Sequence, residues 1–175
     1  MKAYVWLIVG ALLLFVGGCS TAPNPPSSGA AANAPSTTAS TPKATEGGGA
    51  VSATNSQNGM EVKVVFDSAN LAKAGGDLVF KVSIDNHSVD LAKLDLARQA
   101  VLKPSPGEPI TAGFRWTQEG SGHHASGVLT LPNRDGQGRP IVIAGTKSLT
   151  LELRDLGGVA VRAFRFQNQG WKVSG

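Results

Sequence analysis

The chain has 175 residues, of which 41% are hydrophobic and 16% charged, and its formal net charge is +4. This length corresponds to one domain with residues to spare. The single cysteine excludes an internal disulfide bond and any metal site built from several cysteines. A bound metal ion would therefore need histidine, carboxylate or backbone oxygen ligands.

The N-terminus has the layout of an export signal. Met1 and Lys2 are followed by an uninterrupted apolar run over residues 3–16. As a helix this run would span about 21 Å, which is short of the roughly 30 Å hydrocarbon core of a bilayer. We therefore predict a cleaved signal peptide in preference to a permanent membrane-spanning helix.

The residues directly after the apolar run contain the only cysteine. They read Val16-Gly17-Gly18-Cys19 and resemble the lipobox of bacterial lipoproteins, in which the peptide is cut before the cysteine and the sulfur is acylated. The resemblance implies a signal peptide over residues 1–18, cleavage between Gly18 and Cys19, and a lipid anchor on Cys19. An ordinary secretory peptide and an uncleaved anchor are the alternatives. Enterobacterial lipoproteins retained in the inner membrane carry aspartate after the cysteine, so Ser20 favours the outer membrane where the host has one.

Composition divides the rest of the chain into a tether and a domain. Residues 20–58 consist almost entirely of Ser, Thr, Ala, Pro, Gly and Asn, a composition that cannot bury a core. We predict a disordered tether over residues 19–58, including the lipidated cysteine, and one folded domain over residues 59–175. That domain is long enough to bury a two-layer core without disulfide bonds.

Alternating hydrophobicity in the domain predicts β-strands. Residues 60–67 and 78–85 each have an apolar residue at every second position, which places these side chains on one face of a strand. A turn at residues 74–77 separates the two segments. Six further strands are predicted at 99–103, 111–116, 127–131, 141–144, 148–154 and 159–166. Only residues 89–98 offer a helical alternative, of at most two turns, with Asp90 as a candidate N-cap.

Seven or eight short strands at regular spacing predict an all-β, antiparallel sandwich. The pattern resembles the immunoglobulin-like domains of exported bacterial proteins, without the paired cysteines of antibody domains. This resemblance concerns architecture, and folds of this class have many functions.

All three histidines of the chain fall in predicted loops of the domain. His87 lies in a segment rich in Asp and Asn that ends at Asp90, and His123 and His124 follow a glycine-rich segment. If these loops met at one end of the sandwich, three imidazoles and a carboxylate would suit copper or zinc. His87, Asp90, His123 and His124 are therefore the candidate metal ligands, and solvated loop histidines with Asp90 in a turn are the alternative.

Other chemistry has weaker support in the sequence. Ser121 or Ser126 could form a hydrolase triad with a loop histidine and Asp90, but the Gly-x-Ser-x-Gly motif is absent. The basic residues near the C-terminus, Arg154, Arg162, Arg165 and Lys172, are predicted to be solvated, because Arg162 and Arg165 face opposite sides of a regular strand. Contact with anionic lipid or glycan is the alternative. The modest excess of positive charge does not indicate a nucleic-acid partner.

Together these features predict an exported lipoprotein attached to the membrane through Cys19. Its domain would face the periplasm or the cell exterior and act as a non-enzymatic binding or accessory module with an envelope protein partner. Metal binding through the loop histidines is one form of this function, and a structural or interaction module without metal is the alternative.

Overall fold

A computed structural model describes residues 43–44 and 49–174 of the chain. The predicted signal peptide, its cleavage site, Cys19 and most of the predicted tether lie outside the described residues. No helix in the described part of the chain is long and apolar enough to cross a membrane.

The described residues form β-strands with very little helix. In chain order the strands are β1 (Lys43–Ala44), β2 (Ala50–Gln57), β3 (Met60–Asp67), β4 (Leu78–Asn86), β5 (Ala100–Ser105), β6 (Arg115–Glu119), β7 (His124–Leu131), β8 (Ser148–Leu156) and β9 (Val159–Gln167). A 3-10 helix (Ser68–Ala72) follows β3, and the short helix α1 (Leu96–Gln99) precedes β5.

The strands form two antiparallel sheets that share one hydrophobic core. The first sheet has the order β1-β2-β3-β4-β7-β6, and the second has the order β5-β8-β9. Leaving out β1 and β2, these orders match the A-B-E-D and C-F-G sheets of an immunoglobulin constant-type domain. The predicted immunoglobulin-like sandwich is confirmed, with β2 and β1 added beside the strand equivalent to A.

The core follows from strict alternation in the longer strands. In β3 and β4 every second residue is buried, and both strands match their predicted ranges to within one residue. Phe66 and Phe80 stack with ring centroids 5.0 Å apart, and Phe166 of the facing sheet lies 5.6 Å and 5.9 Å from them. The aromatic contacts thus join the two sheets at the centre of the sandwich.

The predicted boundary at Asn58 is wrong, because β2 lies within the predicted tether. Its eight residues pair with β3 along their whole length, from Ala50 opposite Asp67 to Gln57 opposite Met60. The inward positions are Val51, Ala53 and Asn55, all buried. Because two of these three inward residues are small or polar, residues 50–57 show almost no hydrophobic alternation, and their composition does not predict a strand.

Two predicted strands also differ from the structure. The strand predicted at 111–116 begins only at Arg115, because Gly113 adopts a positive φ of 88° that interrupts extended backbone. Residues 141–144 form no strand. There the Asn133 side chain accepts the N–H of Val142 at 2.7 Å and donates to its carbonyl at 3.2 Å, in place of a strand partner.

The helical alternative is confirmed only at its end. The helix α1 has four residues, and its N-cap is Asp95, whose carboxylate accepts the N–H of Ala97 at 3.2 Å. Asp90, the predicted cap, instead accepts the N–H of Ala92 at 2.9 Å within an irregular turn.

Candidate functional site at the histidine end

The two ends of the sandwich carry different parts of the chain. We call one the entry end, because β2 begins there; the segments at this end are 68–77, 106–114, 132–147 and 168–174. We call the other the histidine end, and the segments there are 58–59, 87–99, 120–123 and 157–158. A strand the length of β2 separates the ends by about 26 Å.

The two histidine segments meet at the histidine end. The N–H of Asn86 donates to the carbonyl of His123 at 3.0 Å, and the N–H of Leu91 donates to the carbonyl of Gly122 at 3.1 Å. The connections β4–β5, β6–β7 and β8–β9 all lie here, and they correspond to the B–C, D–E and F–G loops of an immunoglobulin domain. In antibody variable domains the B–C and F–G loops take part in binding antigen.

A buried asparagine fixes the loop that carries His87. Asn86 is 2% exposed, and its Oδ1 accepts the N–H groups of Ser88 at 2.6 Å and Val89 at 2.8 Å. Its Nδ2 donates to the carbonyl of Val89. These bonds form a local side-chain turn, which leaves His87 exposed at its tip.

His124 pairs with an aspartate that was not among the candidate ligands. It stands opposite Asp85 in the β4–β7 ladder, with its Nδ1 2.5 Å from Asp85 Oδ1. The two side chains are 71% and 55% exposed, so solvent screens this pair. On its other side Asp85 stands opposite Glu61, whose carboxylate accepts a hydrogen bond of 3.0 Å from Ser56. A polar row therefore crosses four strands on the outer face of the first sheet.

Two open clefts lie at the histidine end. The larger, about 480 Å³, is formed by the β2–β3 turn together with Glu61, Asp85 and His87. The smaller, about 210 Å³, is lined by Asp90 and by apolar residues that include Leu91 and Leu94. His87 and Asp90 therefore line different clefts.

The candidate ligands share one end of the fold without forming one ligand set. Within residues 43–44 and 49–174, no group of three or more His, Cys, Asp or Glu side chains is arranged to hold a metal ion. The His124 imidazole contacts Asp85, whereas the Asp90 carboxylate accepts a backbone N–H. His123 contributes its carbonyl to the loop contact with Asn86.

The hydrolase residues do not come together as a triad in the described part of the chain. The hydroxyl of Ser126 donates to the carbonyl of Glu119 at 3.1 Å. Asp90 is engaged with the backbone of its own turn. Among residues 43–44 and 49–174, the carboxylate that pairs with a histidine is Asp85, which lies beside His124 on an exposed surface.

Arg162 departs most from the sequence prediction, which placed it in solvent. It is 0% exposed and lies beneath the histidine end, among the acceptors of two hairpins. Its Nε donates to the carbonyl of Leu156 at 3.1 Å, and its Nη2 donates to the carbonyl of Gln57 at 2.9 Å. Its Nη1 donates both to Asn55 Oδ1 at 2.8 Å and to the carbonyl of Met60 at 3.3 Å. All four acceptors are neutral oxygens, and burial lowers the pKa of the guanidinium.

Strand alternation could have identified this position. Arg162 has the same parity in β9 as Phe164 and Phe166, which are both fully buried. The rule that charged side chains face solvent conflicted with the period of two, and the period was the better guide. Arg162 connects the β2–β3 hairpin to the β8–β9 hairpin and thereby supports the loops above it.

Comparisons with known proteins add no relative. No family model matches the sequence, and no curated protein and no solved structure matches it at a significant level.

Proposed function

We propose that this protein is a lipid-anchored module of the bacterial cell envelope that binds a partner with its histidine end. The lipobox-like residues around Cys19 support the anchor. The immunoglobulin-type sandwich, which presents clustered loops on a rigid scaffold, supports a binding module.

One observation carries the proposal: the chain joins the sandwich at the end opposite the histidines. β1 pairs antiparallel with the first residues of β2, Lys43 with Ser52 and Ala44 with Val51, so it lies close to the entry end. An anchor attached through residues 20–42 would therefore hold the entry end towards the bilayer. The histidine end, with its loop clefts and exposed imidazoles, would then be free to meet an envelope protein.

The anchor is tested by changing Cys19 to Ser in cells and following both acylation and membrane fractionation. Acyl labelling and stable membrane association should disappear, because two or more acyl chains are what make such anchoring stable. Ser20→Ala is the matched control and should remain acylated. A C19S protein that stays in the membrane fraction would contradict the lipid anchor and favour an uncleaved apolar helix.

The binding end is tested by site-specific photo-crosslinking in intact cells. A crosslinking residue at His87 or His123, both exposed at the histidine end, should capture a discrete envelope protein. The same residue at Gln137 or Lys147, both exposed at the entry end, should capture much less of it. Equal capture from both ends would remove the assignment of binding to the histidine end.

A metal ion at the same end is the second candidate function, favoured by the contact between His124 and Asp85. A metal-binding histidine commonly has its other ring nitrogen bonded to a carboxylate, and here Asp85 occupies Nδ1 and leaves Nε2 as a donor atom for copper or zinc. His87 and His123 would complete the ligand set after movement of their loops.

Metal binding is tested by titrating the protein with zinc while following the three histidine ring signals by NMR. A shared site predicts coordinated changes in the three rings and a higher melting temperature, because a ligand that binds the native state stabilises it. His124→Gln should remove both effects. Independent weak shifts without stabilisation would leave a protein partner as the function of this end.

A further inference from the structure

Charge is distributed unevenly between the two ends of the sandwich. Over residues 49–174, the half nearer the entry end carries nine Lys or Arg residues and four Asp or Glu residues, a net charge of +5. The half nearer the histidine end carries five and six, a net charge of −1, and Glu152 stands at the midpoint of β8. The small net charge of the chain therefore conceals a strong polarity along the strand direction.

In the half nearer the entry end, which we call the basic half, the cations lie on strands and in three of the four entry-end segments. Its cations are Lys73, Lys81, Lys103, Arg115, Arg134, Arg139, Lys147, Arg165 and Lys172. Eight of these are exposed, and Lys103 is half-buried beside Glu152. Its acids are Asp67, Asp77, Glu108 and Asp135, of which Asp135 is paired with Arg139 at 2.7 Å.

Strand register fixes the positions of these charges. Lys147 donates its backbone N–H to the carbonyl of Ser105, the last residue of β5, and its own carbonyl accepts the N–H of Asn168 just after β9. The segment that carries Lys172 is tied to the 3-10 helix, since Ser174 donates to the carbonyl of Leu71 at 2.8 Å. The loops that bear the cations are thus held at the entry end by backbone hydrogen bonds.

The acidic residues of the other half cluster at the strand ends and loops around the histidines. Glu61, Asp85, Glu119 and Asp155 lie within two residues of a strand end there, and Asp90 and Asp95 lie in the β4–β5 connection. An anionic surface would attract one end of the domain and repel the other. The domain is therefore an electrostatic dipole with its positive end at the point of chain entry.

We propose that the basic entry end binds the anionic lipid headgroups of the membrane to which the chain is anchored. This inference rests on the proposed anchor at Cys19, which brings the surface and the lipid together. The composition of residues 20–42 predicts a flexible chain, for which the expected end-to-end distance is about 26 Å. Each Lys or Arg near an anionic bilayer increases the binding of the protein to that bilayer about fivefold. The uneven charge therefore orients the domain with its histidine end away from the membrane.

The test uses the chain from residue 20 onwards, which contains every strand and buried core residue that the structure describes and lacks the anchor. Its flotation with vesicles of phosphatidylcholine alone is compared with its flotation with vesicles that also contain phosphatidylglycerol. At ~0.01 M salt, where the Debye length is about 30 Å, it should bind only the vesicles that contain phosphatidylglycerol. Salt near 1 M, which shortens that length to about 3 Å, should release it.

Two double variants with the same net charge separate the surface from overall charge. Lys147→Gln with Lys172→Gln removes two exposed entry-end cations and should weaken binding by about 25-fold, at roughly fivefold for each cation. Lys93→Gln with Arg98→Gln removes two exposed cations of the histidine end and should change binding by less than about threefold. Unchanged thermal unfolding establishes that both variants are folded.

Equal losses in the two variants would overturn the proposal, because net charge alone would then control binding. Absence of binding to phosphatidylglycerol at low salt, or equal binding to neutral vesicles, would also overturn it. Binding to soluble heparin without binding to anionic vesicles would assign the basic end to a polyanion other than a membrane. None of these outcomes involves Cys19, so failure of the anchor is recognised separately by the loss of acyl labelling.

Discussion

Replacing Arg162 with methionine tests whether a buried cation holds the two hairpins of the histidine end together. Methionine keeps a long, flexible apolar side chain at the site and removes every hydrogen-bond donor. The carbonyls of Leu156 and Met60 and the side-chain oxygen of Asn55 accept from Arg162 in buried surroundings. The variant leaves all three acceptors without this donor.

The expected cost is about 3 kcal/mol of unfolding free energy, at about 1 kcal/mol for each buried acceptor left unpaired. The variant no longer has to bury a charged guanidinium, which offsets part of this cost. It also loses the hydrogen bond to the partly buried Gln57 carbonyl, which increases the cost. The measurement is urea unfolding followed by tryptophan fluorescence and far-UV circular dichroism. Arg165→Met, on the exposed face of the same strand, is the matched control and should cost less than about 0.5 kcal/mol.

A double-mutant cycle with Asn55→Ala identifies the partner. Arg162 and Asn55 are joined by a 2.8 Å bond, so their combined effect should fall short of the sum by about 1–2 kcal/mol. If Arg162→Met costs less than about 1 kcal/mol, or no more than Arg165→Met, the guanidinium does not stabilise the fold as argued.

Two further predictions concern single positions outside the hydrogen-bond network of Arg162. Hydrogen bonds from the backbone and side chain of Arg139 hold the pKa of Asp135 below its usual value. A carboxyl whose pKa is lowered by folding contributes stability above its unfolded pKa of about 4 and loses it as pH falls through the folded value. Asp135→Asn should therefore reduce the decline of melting temperature below about pH 4. Glu108→Gln, which changes an exposed acid at the same end, is the control and should reduce that decline less. Gly127→Ala would place a Cβ 2.4 Å from the Thr117 carbonyl oxygen and 2.5 Å from the Trp116 ring, so it should lower the free energy of unfolding in urea by about 1–3 kcal/mol. Gly136→Ala is the control, because no heavy atom lies within 4 Å of its added Cβ, and it should be nearly neutral. Equal effects of the two changes would contradict the close packing of Trp116.

The parts of the fold that sequence could predict are those in which apolar residues alternate without interruption. Residues 60–67 and 78–85 were found almost to the residue because every inward position is large and apolar. Residues 50–57 were missed because alanine and asparagine occupy inward positions that a hydrophobic scale does not recognise. Asn55 faces inward because it accepts a hydrogen bond from Arg162, more than one hundred residues later, and a local pattern cannot contain that information.

The candidate site was predictable as a set of residue types and unpredictable as a geometry. Loop composition identified His87, His123 and His124, but the partner of His124 depends on strand register. Asp85 pairs with it because β7 aligns with β4 from His124 opposite Asp85 to Leu131 opposite Leu78. A register shifted by one residue would turn His124 to the other face of the sheet.

The position of β2 leads to a prediction about where the folded domain begins. A chain that starts at Gly59, the boundary suggested by composition, would lack Val51 and Ala53 from the core and the Asn55 and Gln57 acceptors of Arg162. The guanidinium would then be exposed at a broken sheet edge, and β3 would lose a partner along its whole length. A chain that starts at Gly49 keeps all of these contacts and should unfold cooperatively, whereas the shorter chain should be unfolded or lose more than about 3 kcal/mol. Equal stability of the two chains in urea unfolding would mean that β2 is an accessory strand, and the tether would then extend to Asn58 after all.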